Sequence, residues 1–388
     1  MKDVFIVADN IVSPLGLTTH ENFTAITKGF SGVKQHTNPV LSEDSFYASL
    51  LDENIELVAG ERSHYTKFEQ LLIASISDAL ENSGVNIADP KTIVIISSTK
   101  GNISLVENTV VTPQIKKRLA LHTSASLIAE YFHCANTPLV VSNACISGLL
   151  AILVGKRLIQ SDQYDNAVVV GADVISKFVL SGFQSFQAIS AGPCKPFDAD
   201  RNGINLGEGA ATIVLSSNEE YSQGIRITGG AVSNDANHIS GPSRTGEELG
   251  QAIMKAMEDA GVTAGYIDLI SAHGTATVYN DEMEALAISL TGLLSVPVNS
   301  LKGYYGHTLG AAGIIESIIS IQSLQQDIIL PSRGFSRLGV TKPLNVSVEL
   351  QESPLKTCLK TASGFGGCNA ALVFSKSPPA PRRGGPGL

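Results

Sequence analysis

The stretch GEGAATIVLSS (Gly207–Ser217) decides the fold, because it returns later in the chain as GFGGCNAALVFS (Gly364–Ser375). Each is a glycine-rich turn running into an apolar strand, and Gly207 and Gly364 stand 157 residues apart. A second pair keeps nearly the same spacing. PLVVSNACISGLLAI from Pro138 and VPVNSLKGYYGHTLGAAGIIE from Val296 share the order strand, polar turn, helix, and they begin 158 residues apart. Two blocks at one period predict a duplicated domain, and the period is too long for a solenoid repeat. The expected organisation is an N-terminal half over 1–217 and a C-terminal half over 225–375, joined near 218–224. The tail, 376–388, is rich in proline and glycine without periodicity; it reads as disordered or appended and carries no weight in the fold.

Outward from these blocks, short β-branched runs alternate with helical patterns. VFIVAD (4–9), TIVIISS (92–98), PLVVSN (138–143) and AVVVGAD (167–173) are continuous apolar runs, as buried strands of a sheet covered on both faces require. Between the first two, Phe68, Leu71, Leu72, Ile76, Ala79 and Leu80 recur at three and four residues, which predicts an amphipathic helix that Gly84 ends. Alternating strand and helix means a layered α/β fold.

At 388 residues the chain is long for one ordinary domain, and 43% hydrophobic against 16% charged residues supplies a sizeable core. The net charge of −9, with no long basic run, argues against nucleic-acid binding. Five cysteines (Cys134, Cys145, Cys194, Cys358, Cys368) form no CxxC pair, which speaks against a zinc ribbon or a secreted disulfide scaffold and for a reducing compartment. The N-terminus lacks a signal-peptide pattern, and the longest apolar run, 146–155, is far short of the roughly 20 residues that span a bilayer. A soluble, cytoplasmic protein is expected, without membrane contact.

Three residues at strand ends could carry chemistry. Cys145 follows the strand PLVVSN and precedes the apolar helix ISGLLAILVGKRLI, where a helix N-terminus would favour the thiolate. His273 follows YIDLIS, and His307 lies between a strand and a small-residue helix. Taken singly, an apolar-flanked cysteine reads as core and a histidine as a hydrogen-bonding fixture. Three such groups at strand ends from both halves make a nucleophilic site the better reading.

Five blocks then carry a resemblance: NACISG (143–148), PFDADRNGINLGEGA (196–210), AHGTATVYND (272–281), KGYYGHTLGAAGIIE (302–316) and SGFGGCNA (363–370). Together with the opening IVSPLGLTTHENFTAITKGFSGV (11–33), they resemble the signature blocks of β-ketoacyl synthases, the condensing enzymes of type II fatty-acid and polyketide synthesis, in family order from about residue 4 to 375. The resemblance implies a thiolase-like fold of two pseudo-symmetric α/β halves in five layers. It implies that Cys145 accepts an acyl chain from an acyl carrier protein, and that His273 and His307 assist decarboxylation of the malonyl carrier protein. The carbanion then attacks the acyl-cysteine, and the chain grows by two carbons.

By the same resemblance Lys302 joins the catalytic set and Glu316 is its acidic partner, although a lysine in a small-residue turn also reads as solvated. The backbone N–H groups of Cys145 and Phe365 match the oxyanion hole; one such donor is typically worth about 3 kcal/mol. Thr275 and Thr277 match positions that hold the phosphopantetheine arm, with turn chemistry as their plainer reading. Phe183 is placed among the substrate-binding residues. Asp198, Arg201, Asp281 and Glu284 are expected to hold loops.

Four departures stand out: Ser363 in place of a phenylalanine before the GFGG block, Cys368 for threonine, Asn143 for threonine before Ala144, and no glycine-rich stretch in 95–120. They leave the pocket and the chain length open and suggest a specialised pathway such as pigment or polyene synthesis. No cofactor beyond the carrier's phosphopantetheine arm, and no metal, is implied. An acidic carrier protein needs a basic landing patch on an acidic chain. Lys116, Lys117 and Arg118 are the densest candidate, with Arg62 and Lys67 weaker, and a solvated helix end explains each as well. A homodimer or a heterodimer with a related synthase or chain-length subunit is implied. The alternative is a non-condensing, chain-length-factor-like partner; such relatives usually lack the cysteine. An acyl-transferring or hydrolysing enzyme of the same fold would be favoured by a lost histidine, and none is lost.

Overall fold

The computed structural model describes residues 2–55, 57–58, 64–107 and 109–377. Its main sheet runs through both halves of the chain. In the first half lie β1 (Phe5–Val12), β2 (Thr92–Ser97), β3 (Leu139–Val141), β4 (Asn166–Asp173) and β5 (Gly209–Ser216). In the second lie β6 (Ile225–Asn234), β7 (Leu269–Ser271), β8 (Val298–Asn299), β9 (Thr357–Gly364) and β10 (Cys368–Lys376). The spatial order is β3-β2-β4-β5-β1 and then β6-β10-β9-β7-β8, so each half repeats one topology about the β1/β6 seam. The directions repeat as well: β1–β5–β4 are antiparallel and β4–β2–β3 parallel, as are β6–β10–β9 and β9–β7–β8. Among the described residues the one ladder pair across this seam is Phe5 with Arg226, so the sheet divides there into a first and a second five-stranded sheet. The two glycine-rich blocks that set the period are β5 and β10.

Helices complete five layers. On the outer face of the first sheet α1 (Lys67–Glu81) packs on β1 and β5. A capping box starts it: the Thr66 hydroxyl accepts the Glu69 N–H, and Glu69 accepts the Thr66 N–H at 2.9 Å. Phe68, Leu71, Leu72, Ile76 and Ala79 are buried beneath it, as their spacing predicts. It ends at Glu81; Gly84, at φ 65°, shapes the turn that follows rather than the last helical turn. On the far side α5 (Glu247–Ala260) covers β6 and β10. Between the sheets lie α3 (Ser147–Gln160) and α8 (Ala312–Gln326). The latter is buried on nearly all sides, with Ile314, Ile315, Ile318 and Ile321 in the core against Leu149 and Ile152. Each such side chain contributes about 1.5–3 kcal/mol of burial.

The central helices meet through glycine. A Cβ on Gly313 would stand 2.4 Å from the Leu149 nitrogen, and one on Gly148 would stand 2.7 Å from the Gly310 carbonyl. The small residues of NACISG and HTLGAAG are thus the contact that brings the Cys145 and His307 segments together.

β3 differs from its sequence reading as a buried strand. It is the edge of the first sheet, hydrogen-bonded on one side only, and Leu139 and Val140 are exposed. Its apolar run reflects an outward face, not burial within this chain. The remaining helices named below are α2 (Pro113–Leu119), α4 (Lys177–Ser185), α6 (Val278–Leu290) and α7 (Lys302–Tyr305). No helix among the described residues is long and apolar enough to cross a membrane.

Candidate active site

Parallel strands deliver their carboxyl ends to one side of a sheet, and sites form there. Cys145 leaves β3, His307 follows the equivalent strand β8, and His273 leaves β7. The turn at the cysteine is tight. Ala144 has φ 44°, a conformation that costs a non-glycine residue energy. It is fixed by Ser147, whose Oγ accepts the Asn143 N–H at 2.8 Å and donates to the Ala144 carbonyl at 2.6 Å. Cys145 sits just ahead of α3, whose N-cap is Ile146, rather than in its first turn.

The Cys145 sulfur and a nitrogen from each of His273 and His307 lie within 4.8 Å of one another. The two rings stand edge to face, 5.1 Å between centroids. Backbone contacts hold them: the N–H groups of His273 and Gly274 donate to Glu284 on α6 at 2.8 and 2.6 Å, and the His307 N–H donates to the Asn205 carbonyl at 2.7 Å. The ring tautomers follow. Nδ1 of His307 accepts the Leu309 N–H at 3.2 Å, and Nδ1 of His273 faces the Lys302 ammonium at 3.4 Å. Both rings therefore carry their proton on Nε2. Nε2 of His307 is buried and has no hydrogen-bond partner among the described residues. Burial, followed by the Lys302 charge, holds both histidines well below their usual value, so both are neutral donors.

Burial, with Cys368 alongside, pushes the Cys145 thiol up to about 12, against the opposing pull of Lys302, the Phe365 N–H and Lys100. This corrects the expectation of a ready thiolate. With the cysteine outside the helix and buried, desolvation outweighs the dipole.

Lys302 is fully buried and ion-paired with Glu316, and it donates to the His273 carbonyl at 3.0 Å. The solvated reading falls. Lys302 does not line the cavity; its ammonium touches the site through the Nδ1 and the carbonyl of His273. The other acidic groups hold loops: Asp281 accepts the Phe197 N–H at 2.7 Å, and Asp198 accepts the N–H groups of Ser336 and Arg337 at 2.7 and 2.8 Å. Arg201 donates to the Asp198 and Gly339 carbonyls.

A cavity of about 410 Å³ leads to the three groups, lined among others by Phe183, Thr275, Thr277, Ser363 and Phe365. The Thr275 and Thr277 hydroxyls are 2.9 Å apart. Phe365, 39% exposed, stacks on Phe183 at 5.8 Å and meets Phe186 edge-on at 5.7 Å, which puts an aromatic cluster at the mouth. Its own N–H faces the Cys145 sulfur. The Cys–His–His cluster has the spacing of a metal ligand set, but the adjacent Lys302 ammonium opposes a cation there.

Two of the basic residues considered for docking turn inward. Arg118 pairs with buried Glu69 at 2.5 Å and Lys67 with buried Glu208 at 2.7 Å, because those carboxylates need cations. Lys116 and Lys117 remain exposed on α2. Arg62 lies outside the described residues.

Two residues escaped the sequence reading. Asp173, at the end of β4, accepts N–H groups from Thr99, Lys100 and Gly310, the last at 2.6 Å, and so ties the first half to the segment after His307. Lys360 is fully buried in β9, and a lone lysine within the run TCLKTAS was its only signal.

Residues 1–221 match the family description "Beta-ketoacyl synthase, N-terminal domain", and 225–336 match "Beta-ketoacyl synthase, C-terminal domain". The chain is 28% identical to 3-oxoacyl-[acyl-carrier-protein] synthase 2 of Coxiella burnetii, over 97% of this chain and 99% of that one. Its Vibrio cholerae counterpart matches at the same identity and coverage. Among solved structures, a beta-ketoacyl synthase from Burkholderia phymatum superposes with a TM-score of 0.87 at 25% identity, covering 97% of this chain and 100% of that one. The ishigamide ketosynthase/chain length factor gives a TM-score of 0.88, also at 25% identity, covering 97% and 100%. With this fold and this cysteine–histidine centre, the chain belongs to the beta-ketoacyl synthase family and is an acyltransferase.

Proposed function

We propose that the protein condenses an acyl group held on Cys145 with a malonyl unit, both delivered as thioesters on the phosphopantetheine arm of an acyl carrier protein. The observation that carries this is the convergence of one buried thiol and two neutral Nε2–H donors on the wall of one cavity. In the first step the Cys145 sulfur attacks the acyl thioester; the C–S bond to the carrier breaks, and the thiol proton ends on the departing pantetheine sulfur. The N–H groups of Cys145 and Phe365 face the oxygen that becomes negative. In the second, the malonyl carboxylate leaves as CO₂, and its electron pair becomes an enolate whose oxygen takes hydrogen bonds from His273 and His307. The enolate carbon attacks the acyl-cysteine carbonyl, the C–S bond to Cys145 breaks, and the sulfur takes a proton as the β-ketoacyl product forms. Thr275 and Thr277 line the path of the arm, and Phe183 and Phe365 shape the mouth. No cofactor beyond that arm enters these steps.

The exposed edge strand β3, with Leu139 and Val140 outward, suits pairing with a second, related chain. The similar solved structure of a ketosynthase/chain length factor favours a heterodimer, and five free cysteines suit the cytoplasm. The same relative supports a second reading, a non-condensing partner subunit, against which Cys145 and both histidines stand. Intact mass separates the two. Wild-type protein mixed with acyl carrier protein thioesters gains one acyl group, Cys145→Ala gains none, and malonyl carrier protein then discharges the adduct as a β-ketoacyl product. No acylation across short, long and polyunsaturated chains would overturn the condensing reading and favour the partner subunit, which co-purification with a second synthase then tests.

A further inference from the structure

Lys360 has none of its surface exposed. Its ammonium donates to the carbonyls of Ser271 at 3.1 Å, Ala272 at 3.3 Å and Thr361 at 2.8 Å, and it pairs with Glu316 Oε2 at 2.8 Å. Ser271 and Ala272 immediately precede His273, so this lysine grips the backbone that delivers one of the two histidines. The other Glu316 oxygen holds Lys302, which in turn touches His273 at its carbonyl and at Nδ1. One buried carboxylate is thus shared by two buried ammonium groups, and both of them reach the same histidine segment.

Stability does not explain the arrangement. A strand in an apolar core is served as well or better by an apolar side chain, since burying an ion pair gains little over well-packed hydrophobes. We propose that Lys360 is a positioning residue of the condensing centre: by sharing Glu316 with Lys302 and gripping the carbonyls ahead of His273, it holds that histidine in place as an Nε2–H donor. This rests on the condensing reading above.

The charged groups around His273 come from four elements: Lys302 on α7, Glu316 on α8, Glu284 on α6 and Lys360 on β9, with His307 opposite and Cys358 on the same strand as Lys360. Two ammonium groups thus balance two carboxylates. Burial lowers the affinity of both histidines for a proton, and Lys302 and Lys360 lower it further. Burial also lowers the proton affinity of Lys360 itself, and Glu316 opposes that. Removing the Lys360 charge leaves the group net negative, so the histidines bind a proton at higher pH. The acid limb of the decarboxylation profile must then move up.

The test uses the full chain. Acylation of Cys145 and CO₂ release from malonyl carrier protein are measured from about pH 5 to 8 for wild type, Lys360→Met and Lys360→Arg. The expected result is that the Met variant acylates like wild type but decarboxylates roughly ten-fold more slowly at neutral pH. Its acid limb is raised by about half a pH unit or more. The Arg variant keeps the limb near its original place. A Met variant that acylates normally and keeps the wild-type acid limb overturns the proposal. If the Met variant fails to acylate, Lys360→Gln, which retains donors for the carbonyls, carries the same expectation. Loss of acylation in both uncharged variants also overturns it, since the lysine then serves the fold. A wild type that acylates but never releases CO₂ instead sinks the condensing reading, and this role with it.

Discussion

The Lys302 ammonium stands 3.4 Å from Nδ1 of His273 and 3.0 Å from the same residue's carbonyl oxygen, so one cation sets both the ring tautomer and the backbone of the histidine. With Nδ1 occupied, Nε2–H points to the reacting space, as it does in His307. Replacing either histidine by alanine should lower CO₂ release from malonyl carrier protein by about 10²–10³ fold, the usual loss for one oxyanion donor. Acylation of Cys145 should survive. Intact mass and CO₂ release on the same samples check this, and a histidine variant that loses acylation while still releasing CO₂ would reverse the roles.

The Cys145 thiol, pushed up to about 12, should be a slow nucleophile toward small reagents in the free protein. Alkylation by iodoacetamide, followed by peptide mapping, should lag an unstructured thiol at neutral pH and climb roughly ten-fold per pH unit through the alkaline range, because only the thiolate reacts. A rate that is flat above neutral pH would show a preformed thiolate.

Phe365 lines the cavity that leads to Cys145 and stacks on Phe183 at 5.8 Å. Phe365→Ala keeps the backbone N–H but removes the ring, so a bulky maleimide should reach Cys145 several-fold faster, while iodoacetamide labelling changes little. Equal acceleration of both reagents would mean that the ring tunes the sulfur rather than its access.

Asp198 ties the PFDADRNG block to the 336–337 turn. Burial opposes its charge, but the N–H groups of Arg337, Asp200 and Ser336 win and hold the carboxyl down to about 2. A depressed carboxylate stabilises the folded state above its unfolded value near 4, and that contribution is lost as pH falls toward 2. Asp198→Ala strands three backbone donors and should cost about 3 kcal/mol at neutral pH. The deficit against wild type, read from urea melts, should shrink on acidification. A deficit that does not change with pH would assign the loss to packing.

The sequence carried much of this because its signals are local. A glycine-rich turn into an apolar run is legible in eleven residues, and its return after 157 residues announces the duplicated topology. The strand-end positions of Cys145, His273 and His307 follow from the same patterns. The edge position of β3 does not, since an apolar run looks alike whether a sheet or a second chain covers it. Arg118 and Lys67 read as surface charge because their carboxylate partners, Glu69 and Glu208, lie 49 and 141 residues away.

By itself the sequence determined the alternation of strand and helix, the twofold repeat and the identity of the three reacting groups. These depend on residue type and on spacing within a turn or a strand. Only the tertiary structure decided the state of those groups: the thiol kept protonated, both histidines neutral, and Lys302 and Lys360 enclosed around Glu316. Protonation depends on desolvation and on charges a few ångströms away in space, and distant parts of the chain supply both.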